Sequence, residues 1–268
     1  MTRPWAWSRW GRSHEALTYA RVHEHLGKLK LASMAAVLDR VAEDAAKGEI
    51  PYVEFLDKLL EEEVATRLAR TVEMRTKLAR FPFIKTLDQF DFSFQPSIDE
   101  RLVRELATLR FIANAENVMF LGPPGVGKTH LAISLGLAAI AQGQHVYFLS
   151  AGELTHLLPE QMPGRLAALC KPKLLVIDEM GYLPFDRPAA NFLFQLVGRR
   201  YERGSIMLTS NKTYGEWGDI FSDQVLAAAI LDRLLHHSVT ISIRGESYRL
   251  KDKRKGGVFQ TEEVRAET

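Results

Sequence analysis

Eight consecutive residues constrain this chain more than any other part of it. Gly122-Pro-Pro-Gly125-Val-Gly127-Lys128-Thr129 fits the pattern G-x-x-x-x-G-K-[ST] at every required position. An apolar run, Asn117-Val-Met-Phe-Leu121, leads into it, and residues 129–141 carry a helical pattern out of it. Strand, glycine-rich turn and helix in that order make a cradle for polyphosphate. The glycines let successive N–H groups point inward, and the helix N-terminus adds its positive dipole. The expected contacts are Gly122, Pro123, Pro124, Gly125, Val126, Gly127, Lys128, Thr129 and the adjoining His130. Lys128 would bring charge to the β- and γ-phosphates, and the Thr129 hydroxyl would ligate magnesium. ATP and Mg2+ are therefore the expected ligands.

The surrounding pattern fits an α/β core. Apolar runs at 145–149, 173–177, 205–209 and 238–243 alternate with helical stretches at 99–112, 129–141, 189–201 and 225–236. Short apolar strands separated by helices predict a parallel sheet covered on both faces. The run at 173–177 ends in Asp178-Glu179, where ligands of parallel sheets bind, at the carboxyl ends of the strands. Such a Walker B pair assigns magnesium to Asp178 and the attacking water to Glu179. The following strand ends in Thr209-Ser210-Asn211, and Asn211 is placed to sense the γ-phosphate and the lytic water. Arg233 on the helix at 225–236 and Arg249 after the last strand are candidates for stabilising transition-state charge. On spacing alone, each reads more simply as half of a surface salt bridge.

Upstream, residues 19–80 read as helical, with Leu26, Leu29, Leu31, Met34, Val37, Leu38 and Val41 expected near one face of one helix. Residues 81–97 carry Phe81, Phe83, Phe90, Phe92 and Phe94 and are expected to strap onto the core, since linkers seldom carry so much apolar surface. The expected organisation is a tail at 1–18, a helical domain at 19–80, the strap at 81–97, an ATPase domain at 98–255 and a flexible tail at 256–268. With a net charge of only +2, nucleic-acid binding would have to come from local patches. One such patch is Arg67, Arg70, Arg75, Lys77 and Arg80, with Lys85 beyond it. Arg165, Lys171 and Lys173 add a lightly basic stretch, and the cluster 251–255 is ambiguous. A solvated helix face balanced by Glu61, Glu62 and Glu63 explains the first patch equally well. The single cysteine, Cys170, excludes a disulfide framework or thiolate zinc site within one chain and reads as core filler. His23-Glu-His25 and His236-His237 lack metalloprotease spacing and read as solvated or capping residues. No apolar run is long enough to span a bilayer, and the Trp-rich start has no uninterrupted apolar segment of a secretory signal. The expected location is the cytoplasm.

Three longer blocks add a resemblance. Gly122-Pro-Pro-Gly-Val-Gly-Lys-Thr-His130, Asp178-Glu-Met-Gly-Tyr-Leu-Pro184, and Arg199-Arg-Tyr-Glu-Arg-Gly-Ser205 through Thr209-Ser-Asn-Lys-Thr-Tyr-Gly-Glu-Trp217 together resemble the IstB family. These are AAA+ ATPase helpers of insertion-sequence transposases, similar to DnaC helicase loaders and to DnaA. The likeness runs from about residue 19 to 249. It implies an AAA+ fold, ATP-dependent assembly into a homo-oligomer on duplex DNA, and stimulation of a partner DDE transposase. It also implies that Arg233 is the arginine finger and Arg249 the sensor 2 arginine. The stretch 152–173 departs from the family pattern, being short and only lightly basic where the family has a DNA-contacting helical insertion. The alternative within the same fold is a helicase loader, for which the Trp-rich start could be a partner-binding element. A P-loop phosphotransferase is disfavoured by the sensor asparagine and the Asp-Arg helix. A non-hydrolysing module is disfavoured by the presence of Lys128, Thr129, Asp178 and Glu179 together.

Overall fold

The computed structural model describes the backbone of residues 9–250 and the side chains of 17–250. The Trp-rich start, the basic cluster 251–255 and the tail 256–268 lie outside the described residues. The chain divides into two compact units, with the boundary between Glu73 and Met74.

The first unit is helical. α1 (Arg9–Lys28), α2 (Ala32–Gly48) and the long α3 (Tyr52–Ala79) follow one another. α1 begins inside the stretch expected as a tail. The run expected as one helical face is broken instead, because Lys30 takes a positive φ of 57° and ends α1 before α2 starts. Its apolar residues therefore divide: Leu26, Met34, Leu38 and Val41 are buried with Leu59 of α3, whereas Leu29 is exposed. Glu63 on α3 fastens the break. Its carboxylate accepts from the amides of Ser33 (3.0 Å) and Met34 (3.2 Å) near the start of α2, and from Arg67 Nε (2.8 Å). Desolvation pushes the Glu63 pKa up, but Arg67 and the two amides outweigh it and hold the carboxyl below its ordinary value.

The second unit contains the last turns of α3 and the α/β core. Two short 3-10 turns, Leu87–Gln89 and Phe92–Phe94, form the strap. Then come α4 (Glu100–Leu106), α5 (Arg110–Ala113), β1 (Asn117–Leu121), α6 (Lys128–Ala141), β2 (Val146–Ser150), α7 (Gly152–Thr155) and α8 (Met162–Leu169). β3 (Leu174–Met180), α9 (Arg187–Arg200), β4 (Ser205–Ser210), α10 (Trp217–Phe221), α11 (Gln224–Leu235) and β5 (Ser238–Ser242) follow, with further 3-10 turns at Pro159–Gln161, Tyr214–Glu216 and Tyr248–Leu250. The stretch 99–112, expected as one helix, is two, because Leu109 is left-handed at φ 64° between α4 and α5.

All strand pairings are parallel, in the order β2-β3-β4-β1-β5. Alternation along the strands supplies two buried faces. Met119, Leu149, Leu175, Ile177 and Leu208 join the cluster formed with α9, α10 and α11. Phe120, Val176 and Met207, also fully buried, alternate with them and point to the other face, where α6 crosses β1 to β4. The segment 81–97 seats on α6: Phe81 lies over Gly136, where an added Cβ would come within 2.8 Å of its ring.

At the amino end of the sheet two polar side chains replace apolar packing. Asn117 donates to Leu234 O (2.9 Å) and accepts from Ile206 N (2.8 Å), tying β1 to α11 and β4. Arg200, 2% exposed, donates to the carbonyls of Leu169, Pro172, Lys173 and Ser205 at 2.8–3.1 Å. Burial lowers its pKa to about 10.

Trp217, fully buried in the main cluster, is the largest side chain there. Trp217→Ala is expected to cost about 3–5 kcal/mol, read as a lowered urea midpoint. Tyr52→Ala, at a residue 94% exposed, should leave that midpoint unchanged.

Candidate functional site

The carboxyl edge of the sheet brings the predicted residues together. β1 runs into the phosphate-cradle loop, whose glycines take positive φ: 151° at Gly122, 83° at Gly125 and 101° at Gly127. At Gly127 conformation and space coincide, because an added Cβ would also lie 2.5 Å from the ring of Phe90 on the strap. α6 starts directly after it, so its first amides face the loop. The Lys128 ammonium donates to Gly122 O (2.7 Å) and Pro123 O (2.8 Å). Burial is the main force lowering its pKa, with Arg249 adding to it and Asp178 and Glu179 opposing.

Asp178 and Glu179 are neighbours in sequence and opposites in environment. Asp178 is 5% exposed, accepting from Thr129 Oγ1 (2.9 Å) and Thr209 Oγ1 (2.5 Å). Desolvation raises its pKa, while the two hydroxyls, Lys128 and the Glu179 amide pull it back only in part. The β3–β4 register shifts between Ile177 and Met180, and Glu179 sits in that irregularity at φ 63°. A left-handed residue that is not glycine costs on the order of 1–2 kcal/mol, and here it turns Glu179 outward. Its amide is fixed by Thr209 Oγ1 (3.0 Å), so one threonine holds both acids in place.

A cavity of about 250 Å³ opens over the loop. Gly125, Val126, Gly127, Lys128, Thr129 and His130 form its floor, and Glu179, Thr209, Tyr182 and Arg249 form one wall. The strap forms the other, with Phe83, Lys85, Gln89, Phe90, Asp91 and Gln95. His130 anchors the strap by donating from Nε2 to Thr86 O (3.0 Å) and meets Phe90 edge-on, ring centroids 5.2 Å apart. Burial is the main cause of its lowered pKa. From the far end of the chain, the Tyr248 amide donates to Gly125 O (3.0 Å) and carries Arg249 into the cavity.

Two predicted residues stand apart from that cavity. Asn211 is not among the residues lining it, and its Oδ1 is buried and unpartnered beside Gly181. Arg233 lies near the amino end of the sheet, stacked over the Phe194 ring at 4.3 Å and lining a small cleft with Asn117 and His237. The basic candidates are also dispersed. Arg67 pairs with Glu63, Arg75 donates to Gly143 O, and Arg80 and Arg165 both donate to the Tyr147 hydroxyl and lie near Glu153. Arg70, Lys77 and Lys171 are exposed. Sequence reasoning missed Thr209 as an anchor of the two acids, Tyr182 as a wall residue and Gln89 and Gln95 on the strap. Thr209 and Tyr182 stood in plain motif blocks, but only the sheet register and the cavity give them these places.

Comparison with known proteins identifies the family. The IstB-like ATP binding protein family matches residues 24–256. The “Insertion sequence IS5376 putative ATP-binding protein” of Geobacillus stearothermophilus is 51% identical over 239 residues, covering 87% of this chain and 95% of that protein. The counterpart in insertion sequence IS21 of Pseudomonas aeruginosa is 50% identical, covering 87% of this chain and 90% of that protein. Among solved structures, DnaI aligns with 65% of this chain and 98% of its own at a TM-score of 0.51 and 20% identity, a likeness of P-loop AAA+ fold. A match over most of the chain, with relatives at half identity along nearly their full length, means that this protein belongs to the IstB-like ATP binding protein family.

Proposed function

We propose that this protein hydrolyses ATP while assembled as a homo-oligomer on duplex DNA, and that it thereby assists the DDE transposase of its insertion sequence. The observation that carries the ATPase part is the corner where Thr129, Asp178, Thr209 and Glu179 meet beside the phosphate cradle. Asp178 is a desolvated carboxylate whose hydrogen-bond donors there are neutral hydroxyls, a donor set suited to a hard divalent cation. Thr129 and Asp178 would hold Mg2+, which when bound neutralises charge on the phosphate oxygens. Glu179, turned outward by its left-handed backbone, orients the attacking water and accepts its proton. Lys128 leaves its loop carbonyls for the phosphates, and Arg249 stabilises them from the opposite wall. Phe90 offers an aromatic face to the nucleobase. Asn211 brings an unpaired buried acceptor beside Gly181, two residues after Glu179, in keeping with a sensor role.

Arg233 is too far round the sheet to serve its own cavity, being at the opposite strand ends. It fits an arginine finger delivered to a neighbouring subunit, which would couple hydrolysis to assembly. The relatives' association with insertion sequences supports the transposition role, and work on DNA with ATP would suit the expected cytoplasmic location. For the DNA contact, exposed Arg70 and Lys171 are better placed than Arg67, Arg75, Arg80 and Arg165, whose guanidiniums already have protein partners. We retain the helical domain and the ATPase domain as separate functional parts.

Glu179→Gln is expected to keep ATP binding and lower turnover by about 10²–10⁴-fold; unchanged turnover would remove Glu179 from the water-activating role. Arg233→Ala should lower turnover by about 10³-fold or more. Mixing it with Glu179→Gln should restore part of the activity, because each variant supplies what its neighbour lacks. Asp178→Asn tests the burial argument. A carboxyl whose folded pKa is raised contributes stability below its unfolded pKa and loses it as pH rises through the folded pKa. Without nucleotide or magnesium, the variant should therefore melt higher than the parent at pH 7–8, with the gap closing in acid. Duplex DNA binding, measured with a non-hydrolysable ATP analogue across a salt series, should lose about one unit of salt slope for each of Arg70→Ala and Lys171→Ala. A preference for single-stranded DNA would favour a helicase loader instead.

A further inference from the structure

The chain's paired histidines gain a third member only in the folded protein. His236 and His237 follow α11 and lead into β5, while Glu202 stands on the turn between α9 and β4. One ligand atom from each lies within 4.8 Å of the others. His237 Nε2 is 3.6 Å from Glu202 Oε1, and the two imidazoles meet at a centroid distance of 4.1 Å and an angle of 68°. Two imidazoles and one carboxylate, all exposed to solvent, form the three-ligand set of an open zinc-type site. We propose that Glu202, His236 and His237 bind a divalent transition cation of the zinc class, leaving at least one coordination position for water or an outside ligand.

Three features of the surroundings favour this over a chance surface cluster. The first is an orienting partner: Tyr201 OH lies 2.9 Å from His236 Nδ1. With Nδ1–H donating to the phenol oxygen, Nε2 keeps its lone pair for a metal, the arrangement that fixes a ligating imidazole elsewhere. The second is rigidity. His237 O accepts from Asn117 N at 2.8 Å, and His236 N donates to Asp232 O at 3.1 Å. The Glu202 turn is closed by the Arg203 and Gly204 amides on Arg200 O, and the buried Arg200 guanidinium pins it to the start of β4. The third is backbone conformation: Glu202 holds φ 55°, a left-handed state unfavourable to glutamate, and its carboxylate stands beside His237. The ligand types also select the ion class. Imidazole with carboxylate suits zinc, copper or nickel, whereas magnesium prefers the all-oxygen donors found at Thr129 and Asp178. The cluster borders the cleft that Arg233 also lines, so a bound cation would sit on the face that carries that arginine.

The test uses untagged full-length protein and zinc chloride, with bound metal followed by calorimetry and by competition with a chromophoric chelator. Glu202→Asn keeps a residue that tolerates left-handed backbone while removing the carboxylate, and His237→Asn removes one imidazole without adding bulk. The parent should bind one saturable equivalent that both variants lose, and zinc should raise the melting temperature of the parent alone. Tyr201→Phe should retain the equivalent with about 10-fold or greater loss of affinity. Asp178→Asn should retain it in full, separating this site from the phosphate cradle. Persistence of the equivalent in Glu202→Asn and His237→Asn, or absence of a saturable equivalent in the parent, would overturn the proposal. Circular dichroism without metal checks that each variant folds. The outcome does not depend on ATP hydrolysis, so it stands or falls apart from the proposed ATPase role.

Discussion

Asp178 draws three elements into one corner. Its carboxylate accepts from Thr129 on α6 and Thr209 on β4, while its own carbonyl accepts from Ala151 N after β2 at 2.7 Å. Taking a carboxylate out of water is unfavourable unless its lone pairs are satisfied. The hydroxyls do that without neutralising the charge, which leaves a fixed, partly compensated anion beside the cradle. Everything nearby is arranged around this condition. The helix start, the sheet edge and the adjoining glutamate all keep their geometry because the same carboxylate and the same threonine constrain them.

The bulge in β3 is what makes two adjacent acids chemically different. In an unbroken strand, residues 178 and 179 would simply point to opposite faces. With the register shifted between Ile177 and Met180, Glu179 is rotated out into the cavity with its amide held by Thr209. The strain of its left-handed backbone is carried by pairing on both sides: Ser210 Oγ donates to Met180 O at 2.8 Å, and β3 itself is buried. The buried carboxylate of Asp178 and the cavity-facing carboxylate of Glu179 are thus two consequences of one local irregularity.

Aromatic side chains and glycines close the site from outside the sheet. Phe81 and Phe90 rest on Gly136 and Gly127, positions where any side chain would collide with them. The strap returns to the other end of the core through Gln95 Nε2, which donates to Glu246 O at 2.9 Å, and Ser97 Oγ, which donates to Arg244 O at 2.7 Å. Segments far apart in sequence therefore share the wall of the cavity. Opposite them, at the amino ends of the strands, Asn117 and Arg200 fasten turns through hydrogen bonds instead of packing. That leaves Arg233 and the His236–His237 pair on rigid supports away from the nucleotide cavity.

The sequence alone determined the α/β class and the strand sites, and it singled out the glycine-rich loop and Lys128, Thr129, Asp178 and Glu179, which the fold gathers at one edge of the sheet. These features are local: a glycine pattern needs only its neighbours to curl, and apolar periodicity needs only its own strand or helix. The ends of the core strands and of the helices after β1 that the pattern marked were legible to within a few residues for the same reason, whereas the start of α1 at Arg9 was not. The breaks at Lys30 and Leu109 were not, since both are left-handed residues without the glycine that usually signals one. Tertiary structure decided the pairing of Thr209 with both acids, the outward turn of Glu179, the engagement of most basic candidates with internal partners, and the meeting of Glu202 with His236 and His237. Each depends on strand register or on the approach of residues distant in the chain, and no spacing along the sequence encodes where two such surfaces will touch.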